Sequence, residues 1–166
     1  MQDLLPAAQK LAALLKDRHE TIAVAESSTG GLISAAQLSV PGASAYFIGG
    51  AVVYTLKARR AMLDVPDWAF EGIKSVTEQG ALILAHAARD RFAVNWSVAE
   101  IGASGPTGNR YGDPAGHSCI AVAGNVERSI TVETGNADRL ANMRAFAAAA
   151  LDLLIQSVAS SGGHVG

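Results

Sequence analysis

Two apolar periods alternate along this chain, and that alternation restricts its fold more than any other feature. Leu4, Ala8, Leu11 and Leu15 recur at steps of four, three and four, one face of a helix predicted from about Asp3 to Arg18. Thr21 to Ala25 then make a short apolar run between polar residues, the length and setting of a buried strand. The exchange repeats. A helical pattern through Leu32, Ala35, Ala36 and Leu38 stops at Pro41-Gly42. Ala45 to Tyr54 reads as a strand in which Gly49-Gly50 marks a bulge or a close backbone approach. A short helix is expected near Lys57 to Leu63, and Thr77 with Gln79 and Gly80 opens a long one carrying Ala81, Leu84, Ala88 and Phe92. Trp96 to Ile101 is another strand. Ser118 to Ala123 and Ser129 to Glu133 form two more, joined through Gly124-Asn125. Met143, Ala147, Ala150, Leu154 and Val158 mark a closing helix. Helices interleaved with apolar strands predict an α/β fold, a three-layer α/β/α domain with a mixed β-sheet.

The length of 166 residues suits one domain, expected over residues 1–159 with a flexible, glycine-rich tail at 160–166. With 49% hydrophobic and 17% charged residues the chain can bury a core, and long disorder is not expected. A net charge of -2 gives no electrostatic reason for nucleic acid or an acidic membrane surface as partner. Cys119 is the single cysteine, which points to a reducing compartment. The opening MQDLLPAAQK puts acid and amide residues where a secretory signal carries positive charge, and no run approaches about 20 uninterrupted apolar residues, so the expected setting is cytoplasmic. Base rates for cytoplasmic enzymes predict a homo-oligomer. His19, His86, His117 and His164 lie far apart with no ligand spacing, so neither a metal nor another cofactor is expected.

Three segments hold residues suited to chemistry. In Glu26-Ser27-Ser28-Thr29-Gly30-Gly31 a strand delivers the chain to a polar turn from which a helix leaves. Backbone N–H groups there suit an oxyanion or a phosphate, and a serine hydroxyl held among them suits attack on a carbonyl. Strand, polar turn and helix recur in any α/β fold, and the commoner outcome of that pattern is that Ser28 or Thr29 only caps the helix. Tyr54-Thr55-Leu56-Lys57-Ala58-Arg59-Arg60 offers proton-transfer groups, or a solvated cationic face. Ser104 to Asp113 is a glycine-rich loop in which Gly105, Thr107, Gly108 and Arg110 suit a phosphate or sugar; it lacks the Lys-Ser/Thr pair of a Walker motif.

Taken together, from about Leu4 to Leu154, these segments resemble the CinA C-terminal domain family, also called nicotinamide-nucleotide amidohydrolase. Ala25 to Gly31 looks like the family's AESCTGG, Val40 to Phe47 like VPGSSAYF, and Gly50 to Tyr54 like GVVAY. Val76-Thr77 sits where GAVSEE opens a helix, Gly102 to Pro106 resembles GIAGP, and Gly116 to Ala123 resembles VGTVYIAVA. The resemblance implies metal-free deamidation of a small-molecule nucleotide, nicotinamide mononucleotide, with Ser27 as nucleophile and Tyr54 as a proton-transfer group. Glu26, Ser28, Thr29, Gly30 and Gly31 would surround the substrate, and its phosphate would meet Thr107, Gly108 and Arg110.

One departure bears on the chemistry. The family pattern YSNEAK has lysine five residues after the tyrosine; here that residue is Arg59. A guanidinium stays protonated and cannot take the serine proton. Lys57 is two residues away, and on a helix such residues face different ways, so Lys57 substitutes only if the segment is not helical. Tyr54, with Arg59 close by, is the remaining acceptor. The alternative is a catalytically degenerate pyridine-nucleotide-binding protein. Ser28 in place of the family's cysteine and the rewritten stretch from Pro106 to Ala115 are the other differences.

Overall fold

A computed structural model describes residues 1–161. Five helices and five strands follow the order α1 (Leu5–Arg18), β1 (Ile22–Glu26), α2 (Leu32–Leu38), β2 (Phe47–Val52), α3 (Leu56–Leu63), α4 (Glu78–Phe92), β3 (Trp96–Ala103), β4 (His117–Ala123), β5 (Arg128–Glu133) and α5 (Arg139–Ser160). The strands form one sheet in the order β2-β1-β3-β4-β5. β1 runs parallel to β2 and β3, and β4 lies antiparallel to both β3 and β5, so the sheet is mixed as expected.

Side chains alternate across the pleat and give each face its own core. Ile22, Val24, Trp96, Val98, Ile120 and Val122 point to the layer built by α1, α2 and α5, where Leu11, Leu15, Ile33, Leu151 and Leu154 meet them. Ala25, Ala99, Ile101, Ala121 and Ala123 point the other way, onto Ala81, Leu84, Ala85 and Ala88 of α4. Small residues on that second face let α4 lie close across the sheet. By length and composition alone α5 is apolar enough to cross a membrane; 50% of its apolar window is buried inside the domain, where Ala147, Ala150, Leu151 and Leu154 join the core.

Local chemistry sets the element ends. Pro6 lies in the first turn of α1, where its missing N–H costs nothing, and His19 closes that helix in the left-handed region. Thr77 caps α4 by accepting from the Gly80 amide at 3.1 Å. The strand expected from Ala45 is shorter, because Ala43–Ala45 form a 3-10 turn. Its glycines fulfil both readings made of them. The register against β1 slips at Ile48, and a Cβ at Gly49 or Gly50 would sit 2.7 Å from the Phe92 ring or 2.2 Å from Ser34 Oγ. Ser160, expected in the tail, is the last residue of α5; residues 162–166, His164 among them, lie outside the described residues.

Candidate functional site

Because β1, β2 and β3 are parallel, their carboxyl ends at Glu26, Val52 and Ala103 emerge on one side of the sheet, the place where open α/β sheets commonly receive ligands. The Ser27–Gly31 turn leaves β1 there, and two buried carboxyls shape it. Glu26, wholly buried, folds back under the start of α2. Its Oε2 accepts from Thr29 Oγ1 at 2.9 Å and from the amides of Gly31 and Ile33 at 3.0 Å each. Its Oε1 accepts from the Ser34 amide at 2.8 Å and the Ser34 hydroxyl at 2.6 Å. A negative charge against the unpaired amides of a helix start is favourable, so Glu26 does the work of a cap. Neither Ser28 nor Thr29 caps α2, contrary to that expectation; the residue at the cap position is Gly31, in the left-handed region at φ 103°.

Glu100, in the middle of β3 and also wholly buried, holds the other half of the turn. Its Oε2 accepts from the amides of Ser27 at 3.2 Å and Thr29 at 2.9 Å and from Thr29 Oγ1 at 3.0 Å. Its Oε1 accepts from Ser118 Oγ at 3.0 Å and, in a short contact, from Ser28 Oγ. Burial raises the pKa of this carboxyl above the usual glutamate range, opposed by the hydrogen bonds from Ser28, Thr29 and Ser118. Sequence reasoning passed over Glu100. The signal was a lone acid inside the apolar run Trp96 to Ile101, but its partners in the turn are more than 70 residues away.

These bonds change the oxyanion expectation. The amides of Thr29 and Gly31 are already donating to Glu100 and Glu26, and that of Gly30 donates to the Ser27 carbonyl at 3.3 Å. Among the described residues the Ser28 amide is the one in this turn without an acceptor.

A cavity of about 480 Å³ opens over the turn. Ser27, Tyr54, Lys57, Arg59, Ser75, Asn109, Arg110 and Tyr111 all line it, and no carboxylate does. The Ser27 side chain has no hydrogen-bond partner among the described residues. Lys57 and Arg59 share this cavity although α3 is helical throughout, which corrects the expectation that Lys57 reaches it only from a non-helical segment. Helical side chains lean toward the helix N-terminus, and Lys57 stands in the first turn of α3, so its long stem reaches round the open end. Arg59 is 6% exposed, donates from Nη1 to Ser75 Oγ at 2.8 Å, and lies over the Phe70 ring at 5.1 Å. Burial lowers its pKa from the usual arginine value.

The residues expected to meet a phosphate are divided. Gly105, Thr107 and Gly108 line a smaller hollow of about 180 Å³ together with Ser28, Tyr54, Asn109 and Arg139, whereas Arg110 lines the larger cavity and donates to the Tyr111 phenol at 2.8 Å. Arg139, at the start of α5, donates to the Gly105 carbonyl at 2.6 Å and was not anticipated. The loop is held by Asp113. Its carboxylate accepts from Asn109 Nδ2 at 2.9 Å and pairs with Lys74, and the Asn109 side chain in turn accepts from the amides of Tyr111 and Asp113 at 2.9 and 3.1 Å. Among the described residues no three His, Cys, Asp or Glu side chains gather as a metal site.

A mixed sheet between helical layers, a serine turn at its parallel carboxyl ends and a cavity lined by cations above it define an α/β domain of three layers. The chain belongs to the CinA C-terminal domain family, whose model matches residues 5–158. A CinA-like protein of Synechococcus sp. (strain CC9902) is 36% identical over 151 residues, covering 87% of this chain and 36% of the relative. Another, from Desulforapulum autotrophicum, is 35% identical across 95% of this chain and 37% of its own length. The chain thus spans little more than a third of these curated relatives. Among solved structures, the competence/damage inducible protein CihA from Agrobacterium tumefaciens superposes with a TM-score of 0.86 at 31% identity, over 93% of this chain and 94% of that one. A CinA superfamily protein from Klebsiella pneumoniae 700603 reaches 0.88 at 22% identity, covering 95% and 98%, and supports the fold.

Proposed function

We propose that this domain hydrolyses the carboxamide of nicotinamide mononucleotide, releasing ammonia and the nicotinate nucleotide. The observation that carries the reading is the unpartnered Ser27 side chain opening on the same cavity as the Tyr54 phenol and the Lys57 amine. Ser27 Oγ attacks the amide carbon while its proton passes to Tyr54 or Lys57, the groups on that wall able to accept one. Charge on the carbonyl oxygen faces the Ser28 amide and the side-chain donors of the cavity, because the other amides of the turn already serve the two glutamates. The tetrahedral intermediate then expels ammonia, which takes up that proton, and leaves Ser27 acylated; water hydrolyses the ester, releasing the acid and restoring Ser27. Purified protein incubated with the nucleotide should release ammonia, and Ser27→Ala should release none. Absence of turnover in both the natural chain and an Arg59→Lys variant would sink the proposal.

A second reading is favoured by one observation. Arg59 stands where the family pattern has lysine and cannot accept a proton, which suits a domain that binds the nucleotide without turning it over. Calorimetry separates the two: saturable binding of the nucleotide with no ammonia release selects the binding protein.

A further inference from the structure

Arg59 is poorly satisfied for a buried cation. Of its guanidinium nitrogens only Nη1 has an acceptor, the Ser75 hydroxyl; Nε is buried with none, and no carboxylate lies within ion-pair distance among the described residues. Buried guanidinium groups ordinarily meet an anion or fill their five N–H bonds, since taking the charge out of water costs several kcal/mol. The surroundings repeat the imbalance. Lys57 and Arg110 line the same cavity and no Asp or Glu does, in a chain whose net charge is -2. Phe70 closes one face of the guanidinium and Ser75 fixes one edge, so the group is held in place before any ligand arrives.

We infer that Arg59 is an anion receptor, which takes the phosphate of the ligand on Nη2, its unpaired nitrogen that is not sealed in the interior, with Arg110 completing the charge around it. Held in a fixed plane by Phe70 and Ser75, that nitrogen aims its N–H bonds at phosphate oxygens in a way a freely rotating lysine ammonium cannot reproduce. The site is therefore distinct from the Gly105–Gly108 hollow, where the one guanidinium, Arg139, already donates to the Gly105 carbonyl. The inference rests on the cavity being the ligand site, as the amidohydrolase reading does, but not on turnover.

The test is calorimetric titration of the whole chain with inorganic phosphate, nicotinamide mononucleotide and the phosphate-free riboside, at constant ionic strength in chloride. Arg59→Gln should weaken phosphate and nucleotide about ten- to a hundredfold, the loss of one charged hydrogen-bonded contact, and leave the riboside unchanged. Arg128→Gln, on the exposed edge strand β5, should change none of the three. Because the guanidinium has no counter-charge, Arg59→Gln should unfold at the natural temperature or above, which separates a binding loss from a folding loss. Equal phosphate affinity in the natural chain and Arg59→Gln, or no phosphate binding in either, overturns the inference. The two proposals fail separately: unaltered turnover in Arg59→Gln removes the receptor and keeps the hydrolase, whereas Arg59-dependent phosphate binding without ammonia release does the reverse.

Discussion

Replacing Glu100 perturbs the Ser27–Gly31 turn without touching the cavity wall, and its cost can be worked from the hydrogen bonds. Glu100→Ala removes the acceptor of the Ser27 and Thr29 amides and of three hydroxyls. The hydroxyls have alternatives: Thr29 Oγ1 lies 2.9 Å from Glu26, Ser118 Oγ lies 3.3 Å from the Ile101 carbonyl, and Ser28 lines the adjoining hollow. The two amides have none. At about 1–3 kcal/mol for each buried donor left unpaired, the substitution should cost about 2–6 kcal/mol, a large share of the 5–15 kcal/mol typical of a domain. Glu100→Gln keeps a carbonyl oxygen for both amides and should cost far less.

The pH dependence separates the carboxyl from its shape. Burial raises the folded-state pKa of Glu100 above its unfolded value. Between those two values the folded chain holds a proton that the unfolded chain has released, so stability is fully present below the unfolded pKa and falls as pH rises toward the folded one. Glutamine cannot titrate. In urea unfolding across mildly acidic to neutral pH, natural stability should therefore decline relative to Glu100→Gln, with a slope of at most about 1.4 kcal/mol per pH unit for one proton. If the two proteins keep a constant difference across that range, Glu100 is ionised in the fold and the reasoning is wrong.

Two further outcomes concern the supports of the site. Asp113→Asn removes the charge that Lys74 and Asn109 hold; burial works to raise the pKa of Asp113, but those partners and His117 outweigh it and the net direction is down. The stabilisation is thus present above the usual aspartate pKa and lost as pH falls through the depressed value, so in pH-dependent thermal unfolding Asp113→Asn should be less stable at neutral pH and match the natural chain in acid. Gly50→Ala would drive a Cβ to 2.2 Å from Ser34 Oγ, the hydroxyl that holds Glu26 at 2.6 Å. Overpacking of this kind costs about 1–3 kcal/mol, and hydrogen exchange at the Ile33 and Ser34 amides should rise with it.

The layers were legible because apolar spacing is a local property. Leu4 to Leu15, Ala81 to Ala88 and the run from Trp96 each carry their period within a few turns, and the two faces of the sheet follow from alternation. The serine turn, Tyr54 and the glycine-rich loop were legible as segments. What the sequence did not disclose is which polar groups satisfy which. A spacing argument separates Lys57 from Arg59 on an infinite helix, but α3 begins at Leu56 and its open end lets both reach the cavity. The capping reading of Ser28 and Thr29 failed for a related reason: the acceptor for those amides comes from Glu26 at the strand end and from Glu100 on another strand.

Those two carboxyls determine what the rest of the site must supply. A helix start with free amides is itself an anion site, and the glycines of this turn invite that reading. Here Glu26 neutralises the start of α2 and Glu100 takes the amides on either side of Ser28, so main-chain donors are nearly exhausted where a negative ligand would arrive. Were the cavity to take an anionic nucleotide, its positive charge would have to come from side chains, and Arg59 and Arg110, with Lys57 when protonated, are where it is found. The glutamates thus trade anion binding by the turn for rigidity around Ser27. The same trade gives Arg59, useless as a proton acceptor, a chemical reason to stand in this wall.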